Sequence, residues 1–220
     1  MLLATVIASI VLITIKTSMY VSFFSFPGAR ALVVQTILLL LAYCLAIAWP
    51  NRLGGLAVRS LVATRLGIIA ALVQVIHLFT ERFVSLPRPW DGWLTLGFML
   101  ATFLIWAAVG FWARKHGLRL KAACMASAWC AIVTMTIAVL IGILMEWWIT
   151  PVPLESMRTW AEFQRSGGTD LYAFSIANVL DAASSHLLAG PLIACLFGIA
   201  GYQVAPLIAS APRSHTEPRP

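Results

Sequence analysis

Charge is scarce in this chain. Asp, Glu, Lys and Arg together make up 10% of its 220 residues, where an ordinary soluble domain carries roughly 25%. So few charges cannot coat a water-soluble globule. In their place, 61% of the residues are apolar and the mean hydropathy is +0.91, the composition of a membrane protein. Acids are scarcer than bases, eight against fifteen, for a net charge of +7. Such an excess can serve nucleic acid, but there is no basic stripe with interleaved aromatics and no nucleic-acid motif. The cations lie instead in short pieces between apolar runs, the placement that orients membrane helices.

Other absences narrow the chemistry. The four cysteines, Cys44, Cys124, Cys130 and Cys195, lie inside apolar runs with no CxxC spacing, so neither a redox motif nor a zinc site is signalled. HExxH, CxxCH and GxSxG are missing, and no catalytic residue, metal ligand or cofactor is assigned from sequence. No internal repeat, low-complexity tract or second domain is visible. Residues 82–89, "RFVSLPRP", faintly resemble the phosphate-binding stretch of membrane phosphatidic-acid-type phosphatases. The companion motifs are missing, and the resemblance is set aside.

What remains is apolar length. A span needs about 20 predominantly apolar residues, and the chain predicts an all-α bundle of about six. They cover Leu2 to Phe24, Ala31 to Trp49, Leu61 to Phe79, Trp93 to Ala113, Leu120 to Met145, and a last one ending near Ala209. Residues 1–209 are expected to form a single integral membrane domain, followed by a disordered tail over 210–220. Between spans five and six, residues 154–165 ("LESMRTWAEFQR") suit a short helix on the outer surface. Leu154, Met157 and Trp160 would form its apolar face.

Six spans put both termini on one side. With the termini inside, Arg52, Arg59, Arg65, Arg114, Lys115, Arg119, Lys121, Arg213 and Arg219 are cytoplasmic, with Glu217 the one acid among them. The opposite side holds Lys16, Arg30, Arg82, Arg88, Arg158 and Arg165 together with Glu81, Asp91, Glu146, Glu155, Glu162 and Asp170. With nine basic residues against six, the rule that loops rich in Lys and Arg stay inside predicts a multi-pass protein of the cell (inner) membrane with cytoplasmic termini. Trp49 and Trp112 fall at inner ends, and Trp90, Trp93, Trp147 and Trp148 at outer ends, where indole rings anchor.

The last helix carries the most concentrated polarity, "NVLDAASSHLLAGP", Asn178 to Pro191. At 100° per residue, with Asn178 at 0°, Asp181, Ser184 and Ser185 fall at roughly 300°, 240° and 340°. They form one polar face, with His186 apart at roughly 80°. Their depth has two solutions. Counting back from Ala209 starts the span near Leu188, leaving Asn178 and Asp181 outside the hydrocarbon; a start near Tyr172 places them inside it. An intramembrane ionisable residue marks a functional site by default. Gln74, His77, Thr80 and Glu81 on span three and Glu146 at the end of span five belong to the same outer half. Thus His77, Glu81, Glu146, Asn178, Asp181, Ser185 and His186 are candidates for an outward-facing cavity that handles a small solute, ion or proton.

Two rival readings stand beside it. Two histidines on different helices could ligate haem or a metal in a redox anchor. Alternatively, the protein could be a non-catalytic subunit or scaffold. Gly190, Ala194 and Gly198, spaced by four, clear a groove for helix packing. That contact could lie within the bundle, in a homo-oligomer or with a partner membrane subunit. A hydrolytic Ser/His/Asp set is disfavoured, because Ser185 and His186 point about 100° apart.

Overall fold

A computed structural model describes residues 1–25, 27–48, 61–84, 89–145, 163–165 and 170–209. Among these, six long helices and no strand are found. They are α1 (Leu2–Met19), α2 (Ala29–Ala48), α3 (Leu61–Phe83), α4 (Trp90–Lys115), α5 (Leu120–Leu144) and α6 (Leu171–Ala209), with a 3-10 turn, Val21–Ser25, after α1. All six are long and apolar enough to cross a bilayer, and the chain is an integral membrane protein of the helical-bundle class. Of the outer helix expected over 154–165, only 163–165 are described. They are helical, and the Phe163 ring lies 5.6 Å from Phe174.

Pairings between helices fix the topology. Thr36 and Tyr43 of α2 bond the carbonyls of Leu180 and Leu187. The same seven-residue step on each helix means that α2 and α6 run parallel. On α3, Thr64 and then Thr134's partner Gly67 meet Trp129 and Thr134 of α5, also in parallel. Gln74 meets Thr102 and His77 meets Thr95, so α3 and α4 are antiparallel. Gly190 packs on Met135 and Gly198 on Ser127, so α5 and α6 are antiparallel too. The chain therefore alternates direction.

α5 is the axis of the bundle. Of its span 61% is buried, against 17–33% for the other five. Its buried face is built from small residues, including Ala123, Ala126, Ser127, Cys130, Ala131 and Ala138, which let neighbours come close without a large hydrophobic gain. Hydroxyls within the helices bond back one turn: Ser9 to Thr5, Thr17 to Ile13, Thr134 to Cys130 and Thr136 to Ile132. This satisfies them where no water can.

Toward their C-terminal ends, α4 and α6 touch backbone to backbone. A methyl group placed on Gly110 would overlap Gly198, one on Gly201 would overlap Ala107, and one on Gly198 would overlap Ser127. The small-residue stripe Gly190, Ala194 and Gly198 is thus spent inside the chain, against α4 and α5. Beside it, Arg114 donates to the Tyr202 hydroxyl at 2.8 Å, and that hydroxyl donates to the Leu118 carbonyl at 3.1 Å. The α4–α5 turn is pinned as a result, and Gly117 takes φ +71° there.

Pro191 lies inside α6. Lacking an N–H, proline leaves the carbonyl four residues earlier without its helical partner. That carbonyl belongs to Leu187, and the Tyr43 hydroxyl donates to it at 2.8 Å. A helix that apolar length alone would have started near Leu188 thus continues as one element from Leu171, where Asp170 caps it. The Asp170 carboxylate accepts from the backbone N–H groups of Tyr172 and Ala173 and from the Ser22 hydroxyl.

Candidate functional site

At 39 residues, α6 is about 58 Å long at ~1.5 Å per residue, nearly twice the roughly 30 Å of a hydrocarbon core. Its polar residues take their depth from their neighbours. Leu180 and Leu187 lie beside Thr36 and Tyr43, within the apolar body of α2 and not at its ends. Asp181 and His186 are therefore level with hydrocarbon-spanning sequence on that side of the bundle.

Between α3, α5 and α6 lies a cavity of about 260 Å³. α3 contributes Gln74, Leu78 and Glu81; α5 contributes Met135, Ala138, Val139, Gly142 and Ile143; α6 contributes Ser175, Asn178, Val179, Ala182, Ala183 and His186. The α6 wall is a stripe at i, i+3, i+7 and i+11, running Ser175, Asn178, Ala182, His186, which is one face of a helix.

The polar wall is ordered by specific bonds. Gln74 donates from Nε2 to Thr102 Oγ1 at 2.8 Å, and Thr102 in turn donates to the Phe98 carbonyl at 3.0 Å. His186 places Nδ1 2.6 Å from the Ala182 carbonyl. Glu81 sits at the rim, 43% exposed, with its Oε1 3.5 Å from Nε2 of the mostly buried His77. The same nitrogen is 3.4 Å from Thr95 Oγ1, and the ring packs on Phe98. His77 itself stands behind Glu81 and is not part of the wall.

Of the sequence candidates, Glu81, Asn178 and His186 share this cavity, with His77 bonded to one of them. Asp181 and Ser185 do not line it. They are exposed and continue a stripe of exposed leucines, Leu188, Leu192 and Leu196. Glu146 lies outside the described residues. Ser184, grouped from sequence with the polar face, is 1% exposed, and its hydroxyl bonds the Asp181 carbonyl. The helical-wheel grouping centred on Asn178 is therefore divided three ways. The cavity axis falls between Asn178 and His186, and so it gathers two residues that the wheel had separated. Ser175 and the apolar floor from α5 had no signal of their own in the sequence.

Asp170, at the mouth of α6, has its carboxyl held below the usual range. The Ala173 N–H contributes most to that, followed by the Ser22 hydroxyl and the Tyr172 N–H, against an opposing effect of burial. Among the described residues, no three His, Cys, Asp or Glu side chains come together as a metal site. Comparison with known protein families, curated proteins and solved structures finds no match to this chain.

Proposed function

We propose that the cavity between α3, α5 and α6 is the working site of a multi-pass cell-membrane protein whose termini are cytoplasmic. It binds and moves a small solute from the outer side, with proton coupling through His77 and Glu81. The observation that carries this reading is the convergence of Gln74, Glu81, Asn178 and His186, from helices about 100 residues apart in sequence, around one space. Ionisable groups at membrane depth are costly, and they are typical of substrate paths and proton relays. A volume of about 260 Å³ sits just under the roughly 300–1,000 Å³ of sites for larger ligands, so the occupant is small.

Orientation rests on charge. Glu81, Asp91, Asp170 and Asp181, the described carboxylates, belong to one half of the bundle, where Lys16, Arg30 and Arg165 accompany them, while Arg114, Lys115, Arg119 and Lys121 gather at the other end with no carboxylate among the described residues there. The basic end is the one that stays in the cytoplasm. The partner-subunit reading draws no support from Gly190, Ala194 and Gly198, since α4 and α5 already occupy that stripe.

The test is flux in proteoliposomes, with small solutes added outside and internal pH followed by a dye. Solute-driven flux is expected in the parent, and it should fall at least tenfold in Ala182→Trp, which fills the cavity from an exposed position, and also in His186→Ala. No flux in the parent, or undiminished flux in both variants, contradicts the proposal.

A further inference from the structure

We propose that the flank of α6 formed by Asn178, Asp181 and Ser185 is a docking surface for a transmembrane helix of another protein, one that carries a lysine in the outer part of its span. Asn178 alone is shared with the cavity wall. The surface stands whether or not the cavity moves a solute.

Spacing is the first argument. Asn178, Asp181, Ser185, Leu188 and Leu192 follow one another at steps of three and four residues, and all five are exposed. That is the seven-residue seam by which one helix packs along another. The helix meets its own chain on other sides, α2 at Leu180 and Leu187 and α4 and α5 at Gly190 and Gly198.

Depth is the second. Leu180, next to Asp181, accepts from Thr36, seven residues beyond the start of α2. It therefore lies about 10 Å below the outer end of that span at ~1.5 Å per residue. Below it Leu188 and Leu192 continue the same face, so this flank is turned to lipid. An ionisable side chain there is costly and is characteristically paired.

Its pairing is missing within the chain. Hydroxyls elsewhere in the spans bond back by one turn, and Ser184 bonds the Asp181 carbonyl. Ser185 does not, and among the described residues the side chains of Asn178 and Asp181 make no hydrogen bond or ion pair. Lys16, Arg30 and Arg165 belong to the same half, but none of them is paired with Asp181. Lys16 lies over the Tyr20 ring.

The groups left open name the partner. An amide oxygen, a carboxylate and a hydroxyl oxygen offer acceptors in sequence, with the negative charge in the middle. A lysine ammonium brings one positive charge and three N–H donors. Two charges that are each costly in lipid are compensated together, and the leucines below suit the apolar body of an ordinary span. A second copy of this chain fits worse. Copies inserted the same way would meet in parallel across a two-fold axis, setting Asp181 against Asp181.

The experiment is energy transfer between the full-length protein, dye-labelled at its N-terminus, and dye-labelled synthetic helices in zwitterionic liposomes. Three helices of about 20 residues, otherwise leucine and alanine, carry lysine, leucine or glutamate in the outer third. Saturable transfer to the lysine helix is expected, about tenfold tighter than to the other two. Asp181→Asn should remove that advantage and Ser185→Ala should reduce it less, with thermal midpoints showing that both variants are folded. Asp91→Asn, in the same half of the bundle, should leave binding unaltered. The proposal is overturned if the leucine helix binds as tightly as the lysine helix, if none of the three binds, or if Asp181→Asn changes nothing. An equal loss in Asp91→Asn also overturns it, by reducing the contact to general attraction. So does transfer between two labelled copies of the protein that depends on Asp181, which would give the flank to a second copy.

Discussion

Beyond Pro191, α6 presents Ala194, Gly198 and Gly201 to its neighbours at backbone contact. Before Pro191, the same helix lines a cavity of about 260 Å³ with Ser175, Asn178 and His186. Small residues let helices close where lipid gives no hydrophobic drive, and close packing then supplies the stability. Polar residues at the other end keep a space that packing would otherwise remove. One helix serves both ends because the carbonyl freed by its proline finds the Tyr43 hydroxyl. The closed half holds the frame and the open half is available for binding, so changes in the two halves should separate.

The largest effect belongs to the closed half. Gly198→Leu would drive a side chain into Ser127 and is expected to cost about 3 kcal/mol or more. A chain that unfolds in detergent at a lower temperature, or fails to assemble, meets the expectation; an unchanged midpoint would show that the crossing is loose. Next comes the junction. Tyr43→Phe leaves a buried carbonyl unpaired at a cost of about 1–3 kcal/mol. In a Pro191→Ala background the helix supplies its own N–H to that carbonyl, so the same change should cost clearly less. Equal losses in both backgrounds would disconnect the tyrosine from the proline.

Smaller effects probe the open half. Asp170→Ala removes the cap of α6, worth about 1 kcal/mol. Because the folded carboxyl is held low, its contribution is present above the unfolded value, about 3.9, and is lost as pH falls through the lower folded value. Acid unfolding of the parent should therefore show a pH-dependent loss in that window that Asp170→Asn lacks. The smallest change is expected for Asp181→Asn, which lies on the exposed flank, away from the cavity. Flux or affinity within about twofold of the parent agrees with that placement, whereas a loss as large as that of His186→Ala would put Asp181 in the path.

Much of the frame was legible in the sequence because apolar length is a local property. Expected spans over 31–49 and 120–145 appear as Ala29–Ala48 and Leu120–Leu144, and Trp90 and Trp93 lie exposed at one end of α4. The start of α6 was not legible by length, because the helix is nearly twice as long as a 20-residue span, and a count back from Ala209 stops near Leu188, well short of the Asp170 cap. Pro191 identifies Leu187 as a carbonyl in need of a donor, but nothing in the chain order points to Tyr43, 144 positions earlier. The site was legible only in its parts. Glu81, Asn178 and His186 are conspicuous in apolar surroundings, yet their meeting depends on how α3 and α6 flank α5. A helical wheel fixes angles within one helix and leaves open which angle faces the neighbours.

If the cavity between α3, α5 and α6 is the working site, water reaches His186 through it and not from the flank of α6 at large. With the four native cysteines replaced by alanine, His186→Cys and Leu188→Cys can be compared for reaction with a membrane-impermeant thiol reagent added outside. The two positions differ by about 3 Å in height at ~1.5 Å per residue, but one lines the cavity and the other is on the exposed leucine stripe. Labelling at 186 with little at 188 is the predicted result. Equal labelling, or none at 186, would contradict it.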